Sequence, residues 1–239
     1  MNEPLLSRNN PTVKALADTR SHPTPDEFLV DGYHLVEMAE IHGYLNHVYG
    51  LKEIPGSKAP FTRISAPVLE KLSSTKSPEG VVGLCHLPKD DKPMGDRVLL
   101  LDRVQDPGNV GTLLRSALSF GYHDVILTPG CASPLKEKVI AASQGAIFAL
   151  RLHFLDEAEV LALKDQGYSL LATALENAEP LSGFICPAKH VLLLGNEGQG
   201  LSRNYLDNSS TRVTIEMEGI DSLNVAIAGS IAMYVLSRR

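Results

Sequence analysis

The sequence predicts an α/β protein in which a helix-covered parallel sheet forms the carboxyl-terminal part and a smaller α/β unit precedes it. Apolar runs of strand length, such as residues 98–101 and 191–194, are typical of parallel strands buried on both faces. Segments with helical periodicity separate these runs, as in repeated β-α-β units. With 239 residues, 44% of them hydrophobic, the chain is long enough for two units with cores of their own.

A polar segment marks the expected boundary between the units. Residues 87–96 contain Pro88 and Pro93, carry several charges and show no periodicity. These properties are typical of linkers. We therefore predict a first unit over residues 1–90, a linker over residues 91–96 and a second unit over residues 97–239.

Short strands and helices alternate along the first unit, which makes it a small α/β domain. Asn10 followed by Pro11 predicts the start of a helix. A helix is also expected from Pro67, where apolar residues again recur at helical spacing. Strands are predicted over residues 28–30, 45–49 and 80–87, and the remaining helix over residues 35–41.

The second unit repeats the β-α-β pattern with more apolar strands, which predicts a parallel sheet covered on both faces. Its strands are predicted over residues 98–101, 124–127, 148–154, 168–173, 191–194 and 212–217. Its helices are predicted over residues 110–120, around residues 139–140, and over residues 157–164 and 223–236.

Composition excludes several classes of protein. The formal net charge of −6 argues against broad, non-specific adhesion to nucleic acid, so any phosphate contacts must be few and well placed. We expect no membrane partner, because no apolar run approaches the roughly 18 residues of a membrane span. The first residues show no basic, apolar leader. The widely spaced cysteines Cys85, Cys131 and Cys186 are typical of reduced thiols in a cytoplasmic protein.

The stretch 191–200 joins an apolar strand to a loop in which Gly195, Gly198 and Gly200 surround Asn196 and Glu197. Glycines let the backbone take positive φ and let a ligand approach it closely. A loop at the carboxyl end of a buried strand is also where α/β proteins bind small ligands. The alternative is a glycine-rich turn without a ligand.

Two further motifs flank helices. In residues 106–115, Asn109 is predicted to cap a helix that carries Arg115 six residues later, and the alternative is a capped helix with a surface arginine. In residues 221–228, Ser222 and Asn224 stand at the mouth of an apolar helix. The alternative is that Ser222 is a plain N-cap, whereas Asn224 gains nothing inside a helix and so favours a functional role.

Together the three motifs resemble those of the SpoU (TrmH-type) family of RNA ribose 2′-O-methyltransferases, within the SPOUT superfamily. The resemblance spans residues 97–239. Residues 9–14, 28–32 and 72–80 resemble the RNA-binding domain that is often fused to this family. The resemblance implies a homodimer, a deep trefoil knot in the carboxyl-terminal domain, and a structured RNA substrate, either ribosomal or transfer RNA.

The resemblance also implies a site. S-adenosylmethionine, the methyl donor of the family, would lie against backbone groups near Thr173, Gly195, Ile215 and Leu223. The other residues expected around it are Leu194, Asn196, Gly198, Gly200 and Met217. No metal is implied, because the methyl donor is already activated and the eight histidines show no metal-binding spacing.

Arg115 occupies the position that is catalytic in the family. Asn109, Glu197, Ser222 and Asn224 would position Arg115, the ribose and the cofactor loop. Because an arginine normally stays protonated, we prefer a role in binding the adjacent phosphate or stabilising alkoxide charge over a role as the base.

Two other functions remain open from the sequence. A dinucleotide-dependent oxidoreductase is disfavoured, because the glycine spacing Gly-x-x-Gly-x-Gly is the reverse of the required fingerprint and comes late in the sheet. A non-catalytic RNA-binding protein with a degenerate methyltransferase fold is the other alternative.

Overall fold

The computed structural model describes residues 3–88, 92–220 and 222–238. The chain divides into two compact units. The first comprises Met1–Asp90 and Pro134–Phe148, and the second comprises Asp91–Ser133 and Ala149–Arg239. Residues 134–148 therefore belong with the first unit, although the sequence analysis placed them in the second. Of the expected linker, Asp91 lies outside the described residues.

The elements alternate as expected. In chain order the helices are α1 (Pro11–Ser21), α2 (Tyr33–Ile41), α3 (Ala66–Leu72), α4 (Pro107–Ser119), α5 (Glu137–Ser143), α6 (Glu157–Leu161), α7 (Arg203–Asn208) and α8 (Val225–Ser237). The strands are β1 (Phe28–Asp31), β2 (Leu45–Gly50), β3 (Phe61–Arg63), β4 (Val81–Cys85), β5 (Arg97–Leu101), β6 (Asp124–Leu127), β7 (Arg151–Phe154), β8 (Ser169–Thr173), β9 (Glu179–Pro180), β10 (His190–Leu194) and β11 (Thr211–Thr214).

The first unit is built on a four-stranded sheet in the order β1-β4-β2-β3. β4 runs antiparallel to β1 and β2, whereas β3 runs parallel to β2. On one face, Val13 and Leu16 of α1 and Val68 of α3 pack with apolar residues of the strands. The segment 134–148 is held to this unit by packing, because the Phe148 ring meets the edge of Tyr44 and Gly145 lies against Met38.

The second unit is built on a seven-stranded sheet in the order β7-β6-β5-β10-β8-β11-β9. Every adjacent pair of these strands is parallel, which confirms the predicted sheet type. All residues of β6 and β10 are buried, as the apolar runs predicted. Because all strands point the same way, their carboxyl ends meet at one edge of the sheet, which we call the carboxyl edge. The opposite end is the amino edge.

The structure corrects several element boundaries. The strand predicted over residues 148–154 begins only at Arg151, because Ala146–Ala149 form a 3₁₀ helix. The last strand stops at Thr214 rather than residue 217. The helix predicted over residues 157–164 becomes 3₁₀ from Ala162. β3, β9 and α7 were not predicted from the sequence, because they have only two to six residues and so carry too little periodicity to be recognised.

Within the described part of the chain, no helix combines the length and the apolar character that crossing a membrane requires.

Candidate functional site

A cavity of about 830 Å³ opens at the carboxyl edge of the second sheet. Its walls come from the segments that follow β8, β10 and β11 and from the start of α8. Volumes of roughly 300–1,000 Å³ are typical of small-molecule sites. All nine predicted cofactor residues line it: Thr173, Leu194, Gly195, Asn196, Gly198, Gly200, Ile215, Met217 and Leu223. Glu197, Ser222 and Asn224 line it as well, whereas Asn109 and Arg115 are not part of its wall.

The glycine loop, residues 195–201, forms one side of the cavity. Of its three glycines, only Gly200 takes positive φ (+68°). At Gly195 a Cβ would lie 2.1 Å from the backbone nitrogen of Leu201. Glycine is required there because the chain turns back against its own backbone. At Gly198 a Cβ would make only ordinary contact, 3.7 Å from Asn196 Oδ1.

Asn196 holds the glycine loop in shape from within. Its backbone exchanges two hydrogen bonds with Gly200, of 3.0 and 2.9 Å. Its side-chain Oδ1 accepts from the backbone N–H groups of Gly198 (2.9 Å) and Gln199 (3.1 Å). The loop is therefore a closed turn with most of its polar groups satisfied.

The helix caps differ from the sequence expectation. Asp106, not Asn109, caps α4, since its carboxylate accepts from the Asn109 N–H at 2.8 Å. Asn109 is the third residue of that helix. Asn224, not Ser222, caps α8, with its Oδ1 accepting from the N–H groups of Ala226 (2.9 Å) and Ile227 (3.3 Å). Asp221 of the third motif lies outside the described residues.

A hydrogen-bonded relay joins the three motifs. The Asn109 amide donates to Glu197 Oε1 at 3.0 Å, and the Asn224 amide donates to Asn109 Oδ1 at 3.0 Å. The start of α4, the glycine loop and the start of α8 are thus connected by side chains alone. Since Asn224 also caps α8, its amide orientation is fixed, and this fixes the orientation of Asn109 in turn.

Glu197 is the anionic end of this relay. Burial acts to raise its pKa, but the Asn109 amide and the backbone N–H groups of Asp106 and Gln105 outweigh that effect, so its pKa lies below the usual value. The carboxylate is therefore ionised at neutral pH and accepts hydrogen bonds only. Glu197 anchors the glycine loop to α4.

Arg115 lies on the exposed face of α4. Among residues 3–88, 92–220 and 222–238 its guanidinium has no hydrogen-bonding or ion-pairing partner. Six residues of helix separate it from Asn109, a rise of about 9 Å along the axis. The structure therefore joins Asn109, Glu197 and Asn224, but it does not bring Arg115 or Ser222 into that relay.

α4 and α8 lie side by side behind the site. Ser116 and Ser230 share a hydrogen bond of 2.7 Å between their hydroxyls. Gly229 of α8 sits tightly against Leu113 and Leu194, where a Cβ would come within 2.5 Å of both side chains. The two helices therefore hold the motif residues at their amino ends in a fixed arrangement.

Several residues at the site were not predicted from the sequence. Glu176, Gln199 and Arg212 line the cavity. Arg103, two residues after the end of β5, hydrogen-bonds to the glycine loop from outside the cavity wall. Its position at the carboxyl end of a buried strand was the available signal.

Comparison with known proteins decides the family. Residues 96–234 match the model of the SpoU rRNA methylase family. The chain is 30% identical to the 23S rRNA (guanosine(2553)-2′-O)-methyltransferase RlmP of Bacillus subtilis (strain 168), over 93% of each chain. The chain belongs to the SpoU rRNA methylase family.

Solved structures of the SpoU fold agree. An AdoMet-bound rRNA methyltransferase from Sinorhizobium meliloti superposes with a TM-score of 0.88 at 25% identity, over 99% of this chain and 97% of that one. The SpoU methyltransferase AviRb from Streptomyces viridochromogenes, in complex with AdoMet, has a TM-score of 0.83 at 25% identity, over 96% and 98% of the two chains. The resemblance seen in the three motifs is confirmed, and so is the α/β fold class. This SpoU-family protein is an RNA methyltransferase rather than an oxidoreductase.

Proposed function

We propose that this SpoU-family enzyme methylates a ribose 2′-hydroxyl in ribosomal RNA, in the cytoplasm, through the cavity at the carboxyl edge. It is an S-adenosylmethionine-dependent RNA 2′-O-methyltransferase. The observation that carries the proposal is that the second and third motifs line one cavity, with the Glu197–Asn109–Asn224 relay joining the first motif to them. The named activity of the Bacillus subtilis relative supports ribosomal RNA as the substrate class.

The residues around the cavity fit the methyl donor. Leu194, Ile215 and Leu223 offer apolar side chains to a flat ring. The glycines of the loop line the cavity without a Cβ, so a ligand can approach the backbone there closely. Bound there, S-adenosylmethionine supplies a methyl group already activated by its sulfonium. The AdoMet complexes of two structural neighbours support the same assignment.

Arg115 is the group we assign to the RNA. A ribose hydroxyl is a weak nucleophile near neutral pH, so charge develops on its oxygen as the methyl group is transferred. An exposed guanidinium without a protein partner is available to bind a phosphate and to stabilise that charge. Its permanent protonation disfavours a role as the base. Asn109, Glu197 and Asn224 keep the start of α4 in register with the cavity, and Ser222 contributes a hydroxyl at its rim.

The trefoil knot and the homodimer belong to the same proposal. Segments on both sides of β11 line a single cavity with the glycine loop, which favours a threaded carboxyl terminus.

A dimer would cover an apolar stripe on α8, where Ile227, Ile231 and Tyr234 are 53%, 37% and 43% exposed. Large apolar side chains at this spacing on one helix mark a protein interface.

We assign recognition of the RNA to the first unit. Its exposed side chains include Arg8, Lys14, Arg63 and Lys76. Local cations of this kind can contact phosphates although the whole chain is acidic. Sequence-specific readout of RNA commonly uses unpaired bases, which such a domain could present to the second unit.

The test is nucleotide-resolution mapping of ribose methylation in RNA from cells with and without the protein. We expect one ribosomal nucleotide to lose its methyl group when the protein is absent and to regain it in purified RNA on addition of enzyme and S-adenosylmethionine. Loss at a transfer RNA position would correct the substrate class. Unchanged methylation at every position would contradict the proposal and favour a non-catalytic RNA-binding protein.

A further inference from the structure

We propose that Arg103 is a positioning residue for the cofactor: with Asp102 it holds the glycine loop in the shape that binds S-adenosylmethionine. The inference rests on the proposed function, because it takes the cavity as the cofactor site. Arg103 belongs to none of the three motifs and does not line the cavity. Any effect on the cofactor must therefore pass through the loop.

The backbone of Arg103 is the first observation. Its φ is +54°, in the left-handed region that L-residues other than Asn and Asp rarely enter. Such conformations persist only where the surroundings determine them strongly, and they concentrate at functional sites. Arg103 is the second residue after the end of β5.

The contacts of Arg103 with the glycine loop are the second observation. The Arg103 carbonyl accepts from the Asn196 amide at 2.9 Å. Its guanidinium donates to Gln199 Oε1 through Nη1 at 3.3 Å and to the Gly200 carbonyl through Nη2 at 3.5 Å. Arg103 therefore contacts the loop at its first turn and near its end, where Gly200 has positive φ.

Asp102 holds the guanidinium in place. Only 3% of Asp102 is exposed, and its two carboxylate oxygens each accept from Arg103 at 3.1 Å. The same carboxylate accepts from the Ser202 backbone N–H at 2.9 Å and from the Thr128 hydroxyl at 3.3 Å. A bidentate pair of this kind fixes direction as well as distance. Asp102 thus ties together the ends of β5 and β6, Arg103 and the residue that follows the glycine loop.

The arrangement makes the loop a rigid part of the sheet edge. The loop's own bonds close its turn, but Arg103 and Asp102 fix where that turn stands relative to β5. A ligand that binds against a preformed loop does not bear the entropic cost of ordering it. Removing the guanidinium should therefore weaken binding of the cofactor while leaving the transfer step unchanged once the cofactor is bound.

The experiment compares Arg103→Ala, Arg103→Gly and Arg103→Lys with the wild type. Affinity for S-adenosylhomocysteine is measured by calorimetry, and KM and kcat are measured with S-adenosylmethionine and substrate RNA. We expect Arg103→Ala and Arg103→Gly to weaken S-adenosylhomocysteine binding about ten-fold and to raise KM for S-adenosylmethionine equally. The kcat at saturating donor and the KM for RNA should stay within about two-fold of wild type. Arg103→Lys should recover part of the affinity.

Glycine and alanine at this position separate the side chain from the backbone. Glycine relieves the cost of positive φ, so Arg103→Gly should unfold at a higher temperature than Arg103→Ala and yet bind the cofactor no better. Arg203→Ala is the matched control, since Arg203 follows the same loop but its side chain is 93% exposed and, among the described residues, forms its ion pair with Asp207. It should bind S-adenosylhomocysteine as the wild type does.

Three results would overturn the inference. Wild-type affinity in Arg103→Gly would show that the guanidinium does not position the loop. A fall in kcat without a change in KM for the donor would place Arg103 in the transfer step instead. Absence of S-adenosylhomocysteine binding by the wild type would contradict the proposed cofactor site itself, and this outcome is distinct because it needs no variant.

Discussion

The two edges of the second sheet both carry polar side chains, but they use them differently. At the carboxyl edge, Asn109, Glu197 and Asn224 are partly or fully exposed and surround a cavity of about 830 Å³. At the amino edge, Asp124 and His190 are each 1% exposed and bond to neighbouring protein groups. Polar groups that face a cavity remain available to a ligand, whereas enclosed ones serve the fold.

Asp124 is the centre of the amino edge. It starts β6, and its carboxylate binds His153 at 2.7 Å, Arg151 at 2.5 Å and the Gly95 N–H at 2.9 Å. Burial acts to raise its pKa, but these three partners outweigh burial and hold the pKa below its usual value. The Asp124 carboxylate is thus a buried negative charge that is stabilised by its ion pairs and hydrogen bonds within the protein.

The largest expected effect tests the open edge. Arg115→Ala should lower kcat/KM for RNA methylation by about 10³-fold, because the charge that develops on the ribose oxygen loses its cation. Affinity for S-adenosylhomocysteine, measured by calorimetry, should stay within about two-fold of wild type, since Arg115 does not line the cavity. Equal loss of methylation and cofactor binding would show that Arg115 is a structural residue. The polar groups of the two edges would then not differ in role as proposed.

The second effect tests the enclosed edge. Asp124→Ala should lower the free energy of unfolding by about 3–5 kcal/mol, because it leaves the Arg151 charge without its buried partner. Chemical denaturation gives this value. Turnover per folded molecule should be unchanged at temperatures where the variant remains folded.

Glu70→Ala is the matched control for Asp124→Ala. Glu70 pairs with Arg8, but 62% of the Glu70 side chain is exposed, so its loss should cost no more than about 1 kcal/mol. If Asp124→Ala stays within that range, or lowers turnover while it is folded, the amino edge is not a purely structural cluster.

The third effect separates shape from ligand contact within the glycine loop. Gly195→Ala should destabilise the protein by about 2–3 kcal/mol and abolish cofactor binding, because its Cβ would collide with the backbone of Leu201. Gly198→Ala is the control, since its Cβ meets only ordinary contact. Thermal unfolding and calorimetry distinguish the two variants. If Gly198→Ala lost as much cofactor affinity as Gly195→Ala, the ligand, rather than the chain's own backbone, would require glycine at these positions.

How much of each edge could be predicted from the sequence depends on how far apart in the chain the interacting residues lie. Buried strands such as β5 and β10 are recognisable because their apolar runs are local. The cavity wall was predictable because its motifs are local too, and they resemble a known family. The partners of Asp124 and the bond between Asp102 and Ser202 were not predictable, since they join residues far apart in the chain. The predicted N-cap of α4 was wrong for a different reason. Asp106 and Asn109 both suit an N-cap, and only the observed helix start decides between them.

The smallest effect concerns pH at the amino edge. Burial lowers the pKa of His190, whose Nδ1 bonds to the Pro187 carbonyl at 2.8 Å and whose Nε2 bonds to the Tyr122 hydroxyl at 2.8 Å. A neutral ring meets both needs if Nδ1 donates and Nε2 accepts. Below the unfolded-state pKa of about 6.5, the unfolded chain therefore binds a proton that the folded chain does not. Stability should fall as pH drops from 6.5 towards the lower folded-state pKa, and it should not depend on this group above 6.5.

The change in Tm between pH 7.5 and pH 5.5 measures this effect. His190→Gln removes the titrating group, so its Tm should vary by about 3 °C less than that of the wild type over this range, whatever its absolute stability. His47 in the first unit also has a pKa lowered by burial, so His47→Gln should remove a separate part of the slope and leave that of His190 in place. A pH dependence identical in His190→Gln and wild type would mean that His190 accepts a proton without unfolding. Polar groups at the amino edge would then exchange protons with solvent in the folded state, as exposed groups at the carboxyl edge do.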